Sequence, residues 1–207
     1  MKHFEIECKW DANTPRAFYL AVCALQNLCG RTVKPRTLHI KDTYLDNTKH
    51  ALSKQHIALR VRNTDGKWEA TFKTRTEIKN GKAVRREETL SLPQVKTSAQ
   101  ALRTLAQKKR WKGIATTDLC VQFTLANTRR LYTFDYSASR LEMALDRVTI
   151  YVAGRRVFMQ EIELELKQGK TKTLDQFAQL FTQQTNLRHT RISKVKTAES
   201  LRKLWKK

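Results

Sequence analysis

Near both ends of the chain, carboxylates recur at a spacing of two and each row closes on a lysine. In the opening octet His3-Phe-Glu-Ile-Glu-Cys-Lys-Trp10, Glu5, Glu7 and Lys9 alternate with Ile6, Cys8 and Trp10. Far downstream, Glu161, Glu163, Glu165 and Lys167 alternate with Ile162, Leu164 and Leu166. Period-two alternation is the signature of a strand with one apolar and one charged face. Two such carboxylate rows offer oxygen donors of the kind that suits hard cations, Mg²⁺ or Mn²⁺. A single strand at the solvated edge of a half-buried sheet would carry the same pattern, so the weight falls on how many strands repeat it. Arg60 and Arg62 alternate with Leu59 and Val61, and Thr71 and Lys73 with Ala70 and Phe72. Arg85 shares a face with Glu87, and Glu142 with Asp146 against Leu141, Met143 and Leu145. Charges of both signs on one side of many strands, with apolar residues on the other, predict a barrel with a polar lumen and an exterior covered by helices.

The elements that must position these residues follow from turn and cap signals. A strand over about residues 3–10 leads to a helix over 14–29, with Thr14 as cap, Pro15 in its first turn and Gly30 at its end. Strands are expected over 37–46, 56–63 and 67–75, the last two joined through Asn63-Thr-Asp-Gly66. A second hairpin across Asn80-Gly81 joins 67–78 to 83–92, and Pro93 ends it. A helix fits 97–110, followed by strands near 118–126, 129–136, 140–150 and 157–167 with a turn at Gly154. A helix over 173–185, capped by Thr173 with Gln176 three residues on, and a short basic helix over 197–206 complete the chain.

The basic residues on the charged faces are of the types that bind phosphate. Arg presents a planar fork to phosphate oxygens, and Lys a point charge. Lys9, Arg60, Arg62, Lys73, Arg85, Arg129 and Lys194 are the candidates. Arg130 is adjacent to Arg129 and faces the other way on a regular strand; a one-residue bulge would exchange the two.

Seven segments, in order along nearly the whole chain, carry a resemblance to a known family. They are the Glu5-x-Glu7-x-Lys9 triplet, Ile57-Ala-Leu-Arg-Val-Arg62, Thr71-Phe-Lys73, Arg85-Arg-Glu-Glu88, Leu141-Glu-Met-Ala-Leu-Asp146, Glu161-Ile-Glu-Leu-Glu-Leu-Lys167 and Ser193-Lys194. Together they resemble the CYTH superfamily, the triphosphate tunnel metalloenzymes, and within it the bacterial inorganic triphosphatases. The resemblance implies an α+β fold: a closed antiparallel β-barrel, or tunnel, with a charged lumen and helices packed on the outside, as one domain over 1–207. It implies Glu5, Glu7, Glu161 and Glu163 as metal ligands and the seven basic residues as the substrate-binding lining of the tunnel. Lys9, Asp146 and Glu87 are assigned to catalysis, the two acids by orienting basic groups, holding a second ion or assisting water. For Glu165 and Glu142, an ion-pairing role without ligation stands beside ligation. The expected reaction is metal-dependent hydrolysis of a triphosphate, foremost inorganic tripolyphosphate to pyrophosphate and phosphate. Class IV (CyaB-type) adenylyl cyclase, thiamine triphosphatase and RNA 5′-triphosphatase are the family's other activities. A non-catalytic polyphosphate- or RNA-binding module is the reading from a different class.

Composition sets outer limits. With 40% hydrophobic residues over 207, the chain can build a sizeable core. No apolar run approaches the ~18 residues of a membrane span, and no signal peptide opens the sequence, so no membrane association and a cytoplasmic location are expected. Four scattered cysteines without a CxxC pair and five scattered histidines speak against a zinc site and for reduced thiols. Trp10, Trp68, Trp111 and Trp205 are read as packing residues beneath helices. The net charge of +22 predicts polyanionic partners, and most of the basic residues lie outside the seven tunnel candidates. Secondary binding of polyphosphate or RNA to a basic surface is therefore expected, by a monomer or a homodimer.

Overall fold

The computed structural model describes residues 2–74, 77–79, 82–107, 119–190 and 193–205. The strands are β1 (Lys2–Asp11), β2 (Arg36–Asn47), β3 (Ala58–Thr64), β4 (Lys67–Lys73), β5 (Glu77–Lys79), β6 (Lys82–Ser91), β7 (Leu119–Tyr136), β8 (Ser139–Val152) and β9 (Arg155–Gln168). The helices are α1 (Ala17–Cys29), α2 (Ala51–Lys54), α3 (Ser98–Gln107), α4 (Thr171–Thr185) and α5 (Lys194–Trp205). The strands form one antiparallel sheet in the order β1-β9-β8-β7-β2-β3-β4-β6-β5. The sheet is strongly curled, because β1, at one end of the order, also hydrogen-bonds to β6, next to last at the other. Its residues Lys2–Glu7 pair with β6, and Glu7–Asp11 pair with β9.

Alternation along the strands separates a concave from a convex face. The convex side of β1, β7, β8 and β9 is apolar over half its length. There Trp10, Tyr132, Leu141, Met143, Leu145, Ile162 and Leu164 pack beneath α1 and α4, which contribute Leu25, Phe177 and Phe181. Trp10 is fully buried, and its indole N–H donates to Thr182 Oγ1 at 2.9 Å. A second convex cluster joins Leu59, Val61, Ala70 and Phe72 to Ala101 and Leu105 of α3. Helix α5 packs differently. Ala198, with Val195, Leu201 and Trp205, meets Phe123, Leu125, Val148, Ile150 and Val152. Those strand residues share alternation with Arg129 and Asp146, so α5 covers the concave face at one end. Trp68 and Trp205 are partly buried against their clusters, whereas Trp111 lies outside the described residues.

Several expected boundaries move, each for a physical reason. The strands expected over 118–126 and 129–136 are one strand, because Asn127 and Thr128 are paired on both sides, Ile40↔Asn127↔Val148 and His39↔Thr128↔Arg147. The expected second hairpin is divided. Residues Glu77–Lys79 pair with the start of β6, while β4 pairs with its far end, Glu69–Lys73 against Ser91–Glu87. Thr173 is buried inside α4 rather than capping it; Lys170 takes the cap position without a side-chain bond. Likewise Arg16, not Thr14, occupies the N-cap of α1, although Gly30 closes that helix in the left-handed region as expected. Helix α5 begins three residues earlier than read, and so carries Lys194 in its first turn.

Candidate active site

The placement of the charged side chains follows from what their neighbours must bury. On β1, Cys8 and Trp10 enter the convex core, which turns Glu5, Glu7 and Lys9 to the concave side. On β9, burial of Ile162 and Leu164 turns Glu161, Glu163 and Glu165 the same way. Arg129 of β7 and Asp146 of β8 are cross-strand partners on that face.

One cluster forms where these strands meet the start of α5. Oxygens of Asp146, Glu161 and Glu163 lie within 4.8 Å of one another. The Lys194 ammonium sits among them, 2.8 Å from Asp146 Oδ2 and 2.8 Å from Glu163 Oε1, and also contacts Glu161. Lys9 pairs with Glu163 and lies 3.4 Å from Glu7 and 3.8 Å from Glu161. Arg129 grips Asp146 in a two-point fork of 2.7 and 2.6 Å and reaches Glu163 at 2.6 Å. Arg130 points to the convex side, onto the Tyr132 hydroxyl. Burial raises the Glu161 carboxyl, Lys194 and Lys9 only partly offset it, and it is pushed up to about 7. Glu163 is equally buried but contacts both lysines and Arg129, which hold it well below the ordinary carboxylate range. Asp146 is brought down to about 2, burial opposing and Arg129 and Lys194 prevailing. The same carboxylates keep Lys9, Lys194 and Arg129 charged despite burial.

This cluster fits a divalent cation on its own chemistry. Its donors are all carboxylate oxygens, and Glu161 Oε1 is buried without a hydrogen-bond partner among the described residues. A buried, unpartnered carboxylate oxygen is costly and suits a cation.

Two further groups complete the concave face. Arg62 forks onto Asp42 of β2 at 2.6 and 2.8 Å. Arg60 approaches Asp42 at 3.8 Å and Glu69 at 3.8 Å and donates to Thr71 Oγ1 at 3.2 Å. Its Nε is buried and has no partner among the described residues. Lys73 pairs with Glu87 and lies 3.6 Å from Glu5. Glu7 stands opposite Glu165 in the β1–β9 ladder. Burial, then the charges of Glu5 and Glu7, raise Glu165 to about 6 against the pull of Lys167, which bonds it at 3.0 Å. Glu142 accepts from Thr133 at 3.1 Å and lies 3.7 Å from Lys167. Arg85 is opposite Glu5 in the β1–β6 ladder, but its side chain lies outside the described residues.

Of the expected ligands, Glu161 and Glu163 join Asp146, Glu7 reaches the same cluster through Lys9 while standing opposite Glu165, and Glu5 lies beside Lys73. Sequence reasoning missed Asp42. Its signal was the alternation of Leu38, Ile40, Asp42 and Tyr44, an acid in an otherwise apolar row; the structure buries that row, and a buried acid demands a partner.

The CYTH domain model matches residues 3–198. The chain belongs to the CYTH domain family. An inorganic triphosphatase from Haemophilus influenzae is 28% identical over 162 residues, 78% of this chain. The chain spans about half the length of that relative, the match covering 45% of it. Among solved structures, an adenylyl cyclase candidate from Hippeastrum with a dominant triphosphatase activity superposes with a TM-score of 0.71 at 19% identity, over 95% of each chain. A Pyrococcus horikoshii protein gives a TM-score of 0.64 at 18% identity, over 96% of this chain and 99% of its own. A Bacillus halodurans adenylate cyclase candidate gives 0.64 at 19% identity, over 93% and 95%. These likenesses show a shared fold.

Proposed function

We propose that this CYTH protein is a divalent-metal-dependent triphosphatase that hydrolyses inorganic tripolyphosphate to pyrophosphate and phosphate. The observation that carries the reading is the carboxylate triad Asp146, Glu161 and Glu163 in direct contact with three phosphate-type cations, Lys9, Arg129 and Lys194. Membership in a family that includes an inorganic triphosphatase 28% identical to this chain supports it.

The charge balance argues for a metal. Each concave cation with a described side chain already faces at least one carboxylate, as in Arg62–Asp42 and Lys73–Glu87. A polyanion entering such a self-neutralised face would meet carboxylates as well as cations. A divalent ion, Mg²⁺ or Mn²⁺, bound at the triad would neutralise charge on phosphate oxygens and lower the pKa of a bound water. Glu161, Glu163 and Asp146 would hold it; Glu5 and Glu7, with Glu165, form the second acidic group on the same face. Lys194 and Lys9 are then released from the triad toward phosphate. Arg60, Arg62, Lys73, Arg85 and Arg129 bind and orient the remaining phosphate oxygens and stabilise charge on the leaving pyrophosphate. Glu87 positions Lys73, and Asp146 positions Arg129. In this reading the ring of strand pairs through β1 encloses a tunnel, single-domain over 1–207, with α5 closing one end.

The test is phosphate release from tripolyphosphate, ATP, thiamine triphosphate and pyrophosphate with Mg²⁺, Mn²⁺ or EDTA, with ATP products analysed for cAMP. Preferred, metal-dependent cleavage of tripolyphosphate is the expected result. Binding without turnover would replace the enzyme by a polyanion-binding module, and cAMP would make it a cyclase.

A further inference from the structure

The convex face is not covered everywhere. Where α1 and α4 end, the outward residues of β2, β7, β8 and β9 form a regular grid; among the described residues helices reach only its margins, where Arg147 lies 5.8 Å from the Phe18 ring of α1, and Thr43 is its buried corner. One rung runs Lys41–Ala126–Thr149–Phe158 across the four strands. The rung on one side runs Thr43–Thr124–Tyr151–Arg156, and that on the other His39–Thr128–Arg147–Gln160. The centre is floored by small Thr and Ala side chains. Aromatic and basic residues stand at the margins, and the three rungs contain no acidic residue.

Two features of this grid are unusual for a free surface. Phe158 is 69% exposed and Tyr151 47%. They are diagonal neighbours on adjacent strands, a separation of about 7–8 Å that leaves room for flat ligands on either ring. The Arg156 guanidinium lies 5.7 Å from the Phe158 ring centre, which places positive charge beside the ring. Two adjoining grooves, of about 600 and 470 Å³, share Thr128, Arg147 and Thr149. The larger is bordered by Lys96, two residues before α3, by Trp68 and, at its β3–β4 end, by Asp65.

We infer that this face is a platform for single-stranded nucleic acid, with Tyr151 and Phe158 stacking bases while Lys41, Arg147 and Arg156 hold the phosphate backbone. Exposed aromatics on a strand floor, interleaved with cations, are what sequence-tolerant strand binding requires. Inorganic polyphosphate satisfies the cations but gives the rings nothing to stack on. A second copy of the chain would bring a surface of the same sign on a molecule of net charge +22. The site is on the opposite face of the sheet from the carboxylate triad, and the inference stands whether or not the triphosphatase reading holds.

The test is fluorescence anisotropy with a 3′-labelled, 5′-hydroxyl oligonucleotide of mixed sequence, as RNA and as DNA, in EDTA and across a range of salt. Binding should weaken steeply as salt rises. The double variant Tyr151→Ala/Phe158→Ala should lose at least tenfold in affinity for the strand while competition by long-chain polyphosphate stays unchanged. Tyr151→Phe/Phe158→Tyr should restore strand binding. Both alanine sites are exposed, and an unchanged melting temperature checks folding. RNA and DNA bound alike, or RNA preferred, both support the platform. Absent binding, equal loss for strand and polyphosphate, or a change in sedimentation showing that the wild-type face joins two copies would each overturn it.

Discussion

Lys194 holds a position that a divalent ion would contest. Its ammonium touches Asp146, Glu161 and Glu163, so the metal-free protein carries an internal counter-ion in the triad. Removing one member of a buried charged network costs about 3–5 kcal/mol because the other charges stay behind. Lys194→Ala should therefore melt well below the wild type in EDTA and recover most of the loss in Mn²⁺, a recovery that paired melts will check. On the proposed function, Lys9→Ala would remove a phosphate donor and should lower kcat/KM for tripolyphosphate by roughly 100-fold, the scale of losing one charge-stabilising donor. Asp42 supports a pH prediction. Burial opposes its ionisation, but Arg62 and Arg60 bring it from the ordinary 3.8 down to about 2. The depressed pKa means its contribution is fully present above pH 3.8 and fades as pH falls toward about 2. Relative to Asp42→Asn, the wild type should gain about 2 kcal/mol at pH 5–7. That gap should narrow in melts at pH 3. The alternation of Glu5, Glu7 and Lys9 made their shared face legible from sequence. The partners did not follow from it, because the choice between Asp146 and Glu5 beside Glu161 depends on strand register, with Glu161 standing opposite Asp11 in β1.

The elements were readable wherever a period and a stop signal coincided, as at Gly154 between β8 and β9. Where tertiary pairing overrode a local turn signal they were not: Asn127-Thr128 reads as a break, yet two flanking strands hold it extended. The C-terminal helix was read as a short basic helix over 197–206, and its extension to Lys194 is supported by Ser193, whose hydroxyl accepts the Lys196 N–H at 3.2 Å. Gly169, at the junction of β9 and α4, is fixed by a close approach. Its φ is +111°, and a Cβ there would lie 2.2 Å from Ser139 Oγ and 2.8 Å from Ser139 Cα. Ser139 is itself buried and accepts the Lys170 N–H at 3.1 Å, so it has little freedom to withdraw. Gly169→Ala should cost about 3 kcal/mol through strain and overpacking. The melting temperature should drop by roughly 6–12 °C for a chain of this size. Turnover at low temperature should be unaffected, since the junction does not contact the triad.

Across the whole molecule, a self-neutralised concave face couples ligands to stability. On the proposed function, tripolyphosphate with EDTA would meet carboxylates already paired to its binding groups, and metal alone would have to displace Lys194. The two together would complete the charge balance, and ligands that bind only the folded state raise its stability. Thermal melts should show a larger shift with Mg²⁺ and tripolyphosphate combined than the sum of their separate shifts. An additive result would mean that the two do not share a site. The family and the charged strand faces were legible in the sequence, whereas the bare convex grid was not. Its residues are ordinary Thr, Ala, Arg and Phe, and only register across four strands assembles them.

The pairing of β1 with both β6 and β9 has a consequence for biosynthesis. β1 leaves the ribosome about 150 residues ahead of β9 (Lys2–Asp11 against Arg155–Gln168). At ~5–20 residues per second it waits on the order of 10–30 s for one of its two neighbours. Throughout that interval the core that takes Ile6, Cys8 and Trp10 is incomplete: α1 is already made, but Ile162 and Leu164 of β9 and the α4 residues Phe177 and Phe181 are still to come. Slow recovery from denaturant is the expected in vitro counterpart of this long-range closure, and refolding kinetics followed by tryptophan fluorescence check it.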